Sequence, residues 1–151
     1  MVRLRPLLEY ANSIWSPGRV CDLTNIEKVQ MKATTKYKCQ GKDLSYDDRL
    51  RRLKLPTLNY RRIRGDMIEL YRIITGNDSN CSLQLYLRSE LVHASVTRGN
   101  YYKLVPQHCR YDLQKYCFTN RVVPVPVWNS LPNEVVMADN INIFKNSLDK
   151  F

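Results

Sequence analysis

A chain of 151 residues, 44% hydrophobic and 25% charged, has about the length and composition of one soluble globular domain, which excludes wholesale disorder. Its longest apolar run, Val122 to Trp128, is seven residues long and holds two prolines, against about 20 residues for a membrane span. The net charge is +10, and it is unevenly placed: residues 1–76 hold 16 basic and 8 acidic side chains, residues 77–151 only 8 and 6. A basic half of this kind suits a polyanion such as nucleic acid. The opening Met1–Pro6 stretch has no apolar segment of signal-peptide length, so an intracellular protein is expected.

In chain order, Leu4, Leu7, Leu8, Ala11, Ile14 and Trp15 recur at helical spacing. No capping residue precedes them, so the chain is expected to start inside a longer helical pattern that packed on an upstream partner. Thr24-Asn25-Ile26-Glu27 has the form of a capping box. The helix it opens carries Ile26, Val29, Ala33 and Tyr37 on one face and Lys28, Lys32 and Lys36 on its flank, and ends at Gln40-Gly41. Ser45-Tyr46-Asp47-Asp48 opens a short helix burying Tyr46, Leu50 and Leu53, which Pro56 stops. Thr57 then caps a long helix running to Gly76, with Tyr60, Ile63, Met67, Leu70, Tyr71 and Ile74 in one stripe. Arg61, Arg62, Gly65, Glu69 and Arg72 lie opposite.

Beyond Gly76 the pattern changes. Residues 77–80 read as a loop, and Cys81 to Leu91 fits a strand or a helix equally well. Residues 97–127, rich in Tyr, Val and Pro, are expected to be extended with turns. Asp139 or Asn140 caps a last helix with Ile141, Phe144, Leu148 and Phe151 on one face. The expected fold is mainly α: a helical, thumb-like bundle over 1–76, then a mixed, partly extended part over 77–151 that ends in a helix.

The strongest chemical feature is an acid-free basic run holding Arg49, Arg51, Arg52, Lys54, Arg61, Arg62 and Arg64. Six of the seven are Arg, whose planar fork matches phosphate oxygens. Gly65 follows within the basic face of the long helix, where it costs about 1 kcal/mol against Ala and permits close approach of a strand. The reading favoured is phosphate contact at these eight residues; the alternative is a solvated face neutralised by Asp47, Asp48, Asp66 and Glu69. With about five phosphates met, log K should fall against log salt with a slope of roughly −4 to −5 on a duplex. A second set interleaves Arg98, Tyr101, Tyr102, Lys103, Arg110, Tyr111, Lys115, Tyr116, Phe118 and Arg121. It could clamp single strands, but tyrosines at this density are expected to be packing.

Five cysteines, odd in number and without a Cys-x-x-Cys, point to a reducing compartment and to small core residues. His108-Cys109 with Cys117 lacks the second ligand pair a zinc site needs. No phosphate-binding glycine loop, nucleophile elbow or zinc-protease motif occurs. Asp47-Asp48 reads as a helix first turn rather than a catalytic pair. His93 and His108 have no identifiable nucleophile beside them.

Several short blocks in collinear order carry a resemblance. Val2-Arg3-Leu4-Arg5-Pro6-Leu7-Leu8-Glu9-Tyr10-Ala11 with Ile14-Trp15-Ser16-Pro17 resembles the "VRPxLEYAxxxWSP" segment of non-LTR retrotransposon reverse transcriptases. Ile26-Glu27-Lys28-Val29-Gln30 with Ala33-Thr34 is similar to that family's "IEKVQRRAT". Leu44-Ser45-Tyr46, Leu53 to Leu58, Arg61 to Asp66, Thr97-Arg98-Gly99, Phe118 to Val123, Trp128-Asn129-Ser130-Leu131-Pro132, Phe144-Lys145 and Leu148-Asp149 follow its later blocks. An additional Val-Pro step before Trp128 departs from the family pattern.

The resemblance covers nearly the whole chain. It implies the C-terminal, post-palm part of a jockey- or CR1-like LINE element's RNA-directed DNA polymerase, a transposable-element protein. On that resemblance the fragment is not itself an enzyme, because the polymerase aspartates and the endonuclease lie upstream. It has no cofactor of its own, although the parent polymerase would use Mg2+. Its partners would be an RNA/DNA duplex, gripped without regard to sequence, and the upstream palm, with no membrane. Nucleus and cytoplasm are the compartments the family implies. The alternatives are an inert structural fragment of a truncated copy and a domesticated host protein-interaction module.

Overall fold

The computed structural model describes residues 8–36, 44–76, 85–88, 99–122 and 126–151. Its described residues are mainly helical, and they form two compact units, residues 1–64 and 65–151. The boundary falls inside a helix, so that helix contributes its first turns to one unit and the rest to the other.

The first unit contains α1 (Val20–Lys36), α2 (Tyr46–Arg52) and the start of α3 (Leu58–Ile74). Helix α1 begins four residues before the expected cap. Thr24 is interior to it, and its Oγ1 donates back to the Val20 carbonyl at 2.8 Å, a local bond that Ser and Thr make inside helices. The inward face also differs from the apolar one expected: Gln30 and Thr34 are the buried residues, while Val29 is 41% exposed. Lys28, Lys32 and Lys36 are exposed as expected, and the helix end at Gln40-Gly41 lies outside the described residues.

A polar face turns inward at low cost where its groups find partners, and most of these do, Gln30 Oε1 being the exception among them. Glu27 accepts from the Leu58 N–H at 3.1 Å and from the Tyr46 hydroxyl. Gln30 Nε2 donates to the Tyr46 hydroxyl and to the Pro56 carbonyl, both at 3.2 Å. Glu27 thus belongs to no capping box of its own helix; it caps α3 from the side.

Helix α2 has the expected cap, the Ser45 hydroxyl accepting from Asp48 N–H at 3.2 Å, and buries Leu50. Its exit is less ordinary. Lys54 N–H donates to Arg51 C=O at 3.1 Å and Leu55 N–H to Leu50 C=O at 2.9 Å, the paired bonds of a Schellman motif. The residue in the left-handed position is Lys54, with φ 51°, where glycine is usual. Thr57 caps α3 by accepting from Tyr60 N–H at 3.2 Å.

The second unit takes Met67, Leu70 and Tyr71 from α3, which leaves through Gly76 at φ 69°. It adds α4 (Asp112–Lys115), α5 (Phe118–Val122), α6 (Pro126–Ser130), α7 (Asn133–Val136) and α8 (Ile141–Leu148). Of the expected α3 stripe, Met67, Leu70 and Tyr71 are buried, but Tyr60 is exposed. The core gathers Leu104, Phe118, Val122, Trp128, Leu131, Val135, Val136, Phe144 and Leu148 around them. Tyr71 stacks on Phe144 with ring centroids 4.3 Å apart and donates its hydroxyl to Ala138 C=O. Asn140 caps α8, which buries Phe144 and Leu148. Phe151, expected on the same face, lies past the helix end and is 65% exposed.

The partly extended character expected from residue 97 onward is small among the described residues. Helices α4, α5 and the start of α6 lie in that span, residues 99–111 are not helical, and among the described residues paired backbone is confined to an antiparallel bridge between Leu87 and Leu104. Arg88 N–H donates to Lys103 C=O and Val105 N–H to Tyr86 C=O, at 2.8 and 3.0 Å. Leu104's own N–H and C=O therefore point away from that partner. The Asn129 amide takes both, at 3.1 and 3.2 Å, in place of a second strand.

The Trp-Asn-x-Leu-Pro segment is locked further to the loop beside Gly99. Trp128 Nε1 donates to Tyr102 C=O at 2.9 Å, and buried Asn100 donates to the carbonyls of Trp128 and Leu131. Tyr101 N–H donates to Asn133 Oδ1 at 2.7 Å. Two sequence blocks nearly 30 positions apart are thus one structural feature.

Candidate nucleic-acid interface

The basic run does not form one surface. Arg51 and Arg52 are exposed on the last turn of α2, and Lys54 is exposed at its exit. None of the three has a side-chain partner among the described residues. Arg49 is half-buried, with its guanidinium 5.9 Å from the Tyr46 ring centre. Asp48 is drawn to the Ser45 hydroxyl, its Oδ2 accepting at 2.6 Å. Asp47 and Asp48 lie in the first turn of α2, as their sequence context predicts.

Arg51 and Lys54 also rim a shallow depression of about 330 Å³, together with Asp47, Leu50, Leu55, Pro56 and Thr57. Its apolar walls are Leu50, Leu55 and Pro56. This corner is shaped by the Schellman exit of α2 and by Pro56, which separates that exit from the cap of α3.

Arg61 and Arg62 are used differently. Arg61 Nη2 pairs with Glu9 Oε2 at 2.6 Å. Arg62, expected on the solvent side of α3, is only 4% exposed. Its Nη2 donates to Leu8 C=O at 2.9 Å, and its guanidinium lies 4.9 Å from the Trp15 ring centre. Asn12 Nδ2 closes the contact by donating to Arg62 C=O at 3.0 Å. The two arginines hold the segment Leu8–Trp15 onto the start of α3, in which Ile14 stays 84% exposed. Leu4 and Leu7, the rest of that segment's apolar pattern, lie outside the described residues. Arg64 is half-buried, and Gly65, half-buried in mid-helix, belongs to the second unit.

The aromatic and basic set of the second unit is divided as well. Phe118 is buried, and Arg121 is drawn inward by Asp66, Nη2 to Oδ1 at 2.9 Å. Tyr101 and Tyr111 are largely exposed, so the packing role expected of them is not met. Arg98 lies outside the described residues. Cys21 and Cys117 are exposed and Cys109 is half-buried, contrary to the expectation of core positions.

Several structural roles escape a reading of the sequence. Glu27 caps a helix 31 residues away, and Asn100, Asn129 and Asn133 replace missing backbone partners. A single Asn beside a buried Trp is the visible trace of the last group. Burial, reinforced by the Glu27 carboxylate, pushes the Tyr46 hydroxyl well above its ordinary range. Burial likewise raises Tyr71, with Asp139 adding to it.

Among the described residues no group of three or more His, Cys, Asp or Glu side chains is placed to hold a metal ion. Nor is any described helix long and apolar enough to cross a membrane. Comparison with protein-family models, with curated proteins and with solved structures finds no match to this chain.

Proposed function

We propose that the chain is a non-catalytic, C-terminal region of a non-LTR retrotransposon RNA-directed DNA polymerase that grips template–product nucleic acid through its backbone. The collinear sequence blocks support the family. The observation that carries the binding role is the trio Arg51, Arg52 and Lys54, exposed within four residues at one helix end and without side-chain partners among the described residues. Arg49 stands one turn behind them. Contacts of this kind position a strand and read no sequence. An upstream palm is the protein partner in this reading.

Because Arg61 and Arg62 are committed within the chain, the number of phosphates met falls to about three, and the salt slope to roughly −3 on a duplex. Binding of the 151-residue chain to a labelled RNA–DNA duplex, followed at several salt concentrations, tests this. Replacing Arg51, Arg52 and Lys54 with Gln should bring the slope near zero with the fold retained. Flat salt dependence of the wild type, or an unchanged slope in the variant, would sink the proposal. The inert-fragment reading would then stand, favoured by the internal use of Arg61 and Arg62.

A further inference from the structure

We propose that the depression at the exit of α2 seats one unpaired nucleotide of a bound strand, its base on Leu50, Leu55 and Pro56 and its phosphate at the Arg51–Lys54 rim. This rests on the nucleic-acid reading above and adds a preference that backbone contact alone does not give.

Size comes first. The depression holds about 330 Å³, at the lower end of the roughly 300–1,000 Å³ typical of ligand sites. That is room for one nucleotide. Chemistry narrows the occupant further. An apolar floor beside two cations that have no side-chain partner among the described residues suits a flat, weakly hydrated ring joined to an anion. Asp47 lies one helical turn before Arg51, on the same face of α2. Its carboxylate repels phosphate and accepts from base N–H groups, so the phosphate belongs at the Lys54 end. In an uninterrupted duplex the base faces are hidden in the stack and the floor gains nothing. Only an overhang, a gap or an extruded base presents a ring to it.

The backbone at Lys54 is the second observation. Lys54 holds the left-handed position, φ 51°, at a strain that glycine would avoid. Residues kept in such conformations cluster at ligand sites. Glycine would relieve the strain but would remove the ammonium from the rim.

The test uses the full chain and three labelled RNA–DNA duplexes of equal phosphate count: blunt, with a one-nucleotide overhang, and with the same overhang made abasic. The expected result is that the base-bearing overhang binds about fivefold or more tightly than either of the others. Leu55→Ala should abolish that advantage. Equal affinity for base-bearing and abasic overhangs overturns the nucleotide seat and leaves the basic-surface reading intact. Failure to bind any of the three at low salt overturns both. The abasic comparison is made on the wild-type chain, so the outcome does not depend on whether a variant folds.

Discussion

Glu27 is the residue whose loss should disturb the first unit most sharply for its size. Its carboxylate accepts from Leu58 N–H at 3.1 and 3.4 Å, one bond to each oxygen, and from the Tyr46 hydroxyl. Hydrogen bonds to a charged group contribute about 1.5–3 kcal/mol net, and a negative charge at a helix N-terminus adds about 0.3–1 kcal/mol. Glu27→Gln keeps an acceptor oxygen and loses the charge, so it should cost about 1–2 kcal/mol. Glu27→Ala leaves both donors without their acceptor. The cost should then rise to about 3 kcal/mol. Urea unfolding followed by circular dichroism measures both, and an unchanged m-value is required before the difference is read as stability. A double-mutant cycle with Tyr46→Phe should show a coupling of about 1 kcal/mol. A Glu27→Ala cost under about 0.5 kcal/mol, or a coupling indistinguishable from zero, would refute the claim that Glu27 caps α3 from the side.

Three further outcomes follow from the same geometry. The Tyr46 hydroxyl is raised above its ordinary value of about 10 by burial and by Glu27, so in the unfolded chain it ionises first. Its contribution is therefore fully present below about pH 10 and is lost as the pH climbs beyond it; alkaline melts of Tyr46→Phe should decline less steeply than those of the wild type. Lys54→Gly should raise stability by about 0.5–1 kcal/mol, since it relieves a left-handed lysine, while weakening duplex binding; a melt showing destabilisation would contradict the backbone assignment. Asn129→Ala should cost about 2 kcal/mol by stripping Leu104 of both backbone partners, and should expose the 99–105 loop to limited proteolysis. Resistance equal to the wild type would show that the Asn129 clamp is dispensable.

Local chemistry was legible along the chain wherever a residue acts on its immediate neighbours. Ser45, Thr57 and Asn140 cap their own helices, Gly76 ends α3, and Met67, Leu70, Tyr71, Phe144 and Leu148 face a core, because 3.6-residue periodicity and free backbone donors are properties of the sequence itself. What the sequence could not specify was where side chains reach across the fold. Thr24-x-x-Glu27 satisfies the pattern of a capping box, yet Glu27 serves a helix start that only tertiary packing brings near. Val29 has the hydrophobicity for a buried face, but the inward face of α1 is set by Gln30 and Thr34, and the Gln30 amide nitrogen finds Tyr46 and Pro56 there. The basic run reads as one charged surface in sequence. In three dimensions Arg61 and Arg62 bind the Leu8–Trp15 segment while Arg51, Arg52 and Lys54 keep their charges in solvent. A charge reveals its sign in the sequence, whereas its partner is decided by which distant acceptor the fold places within about 3 Å of it.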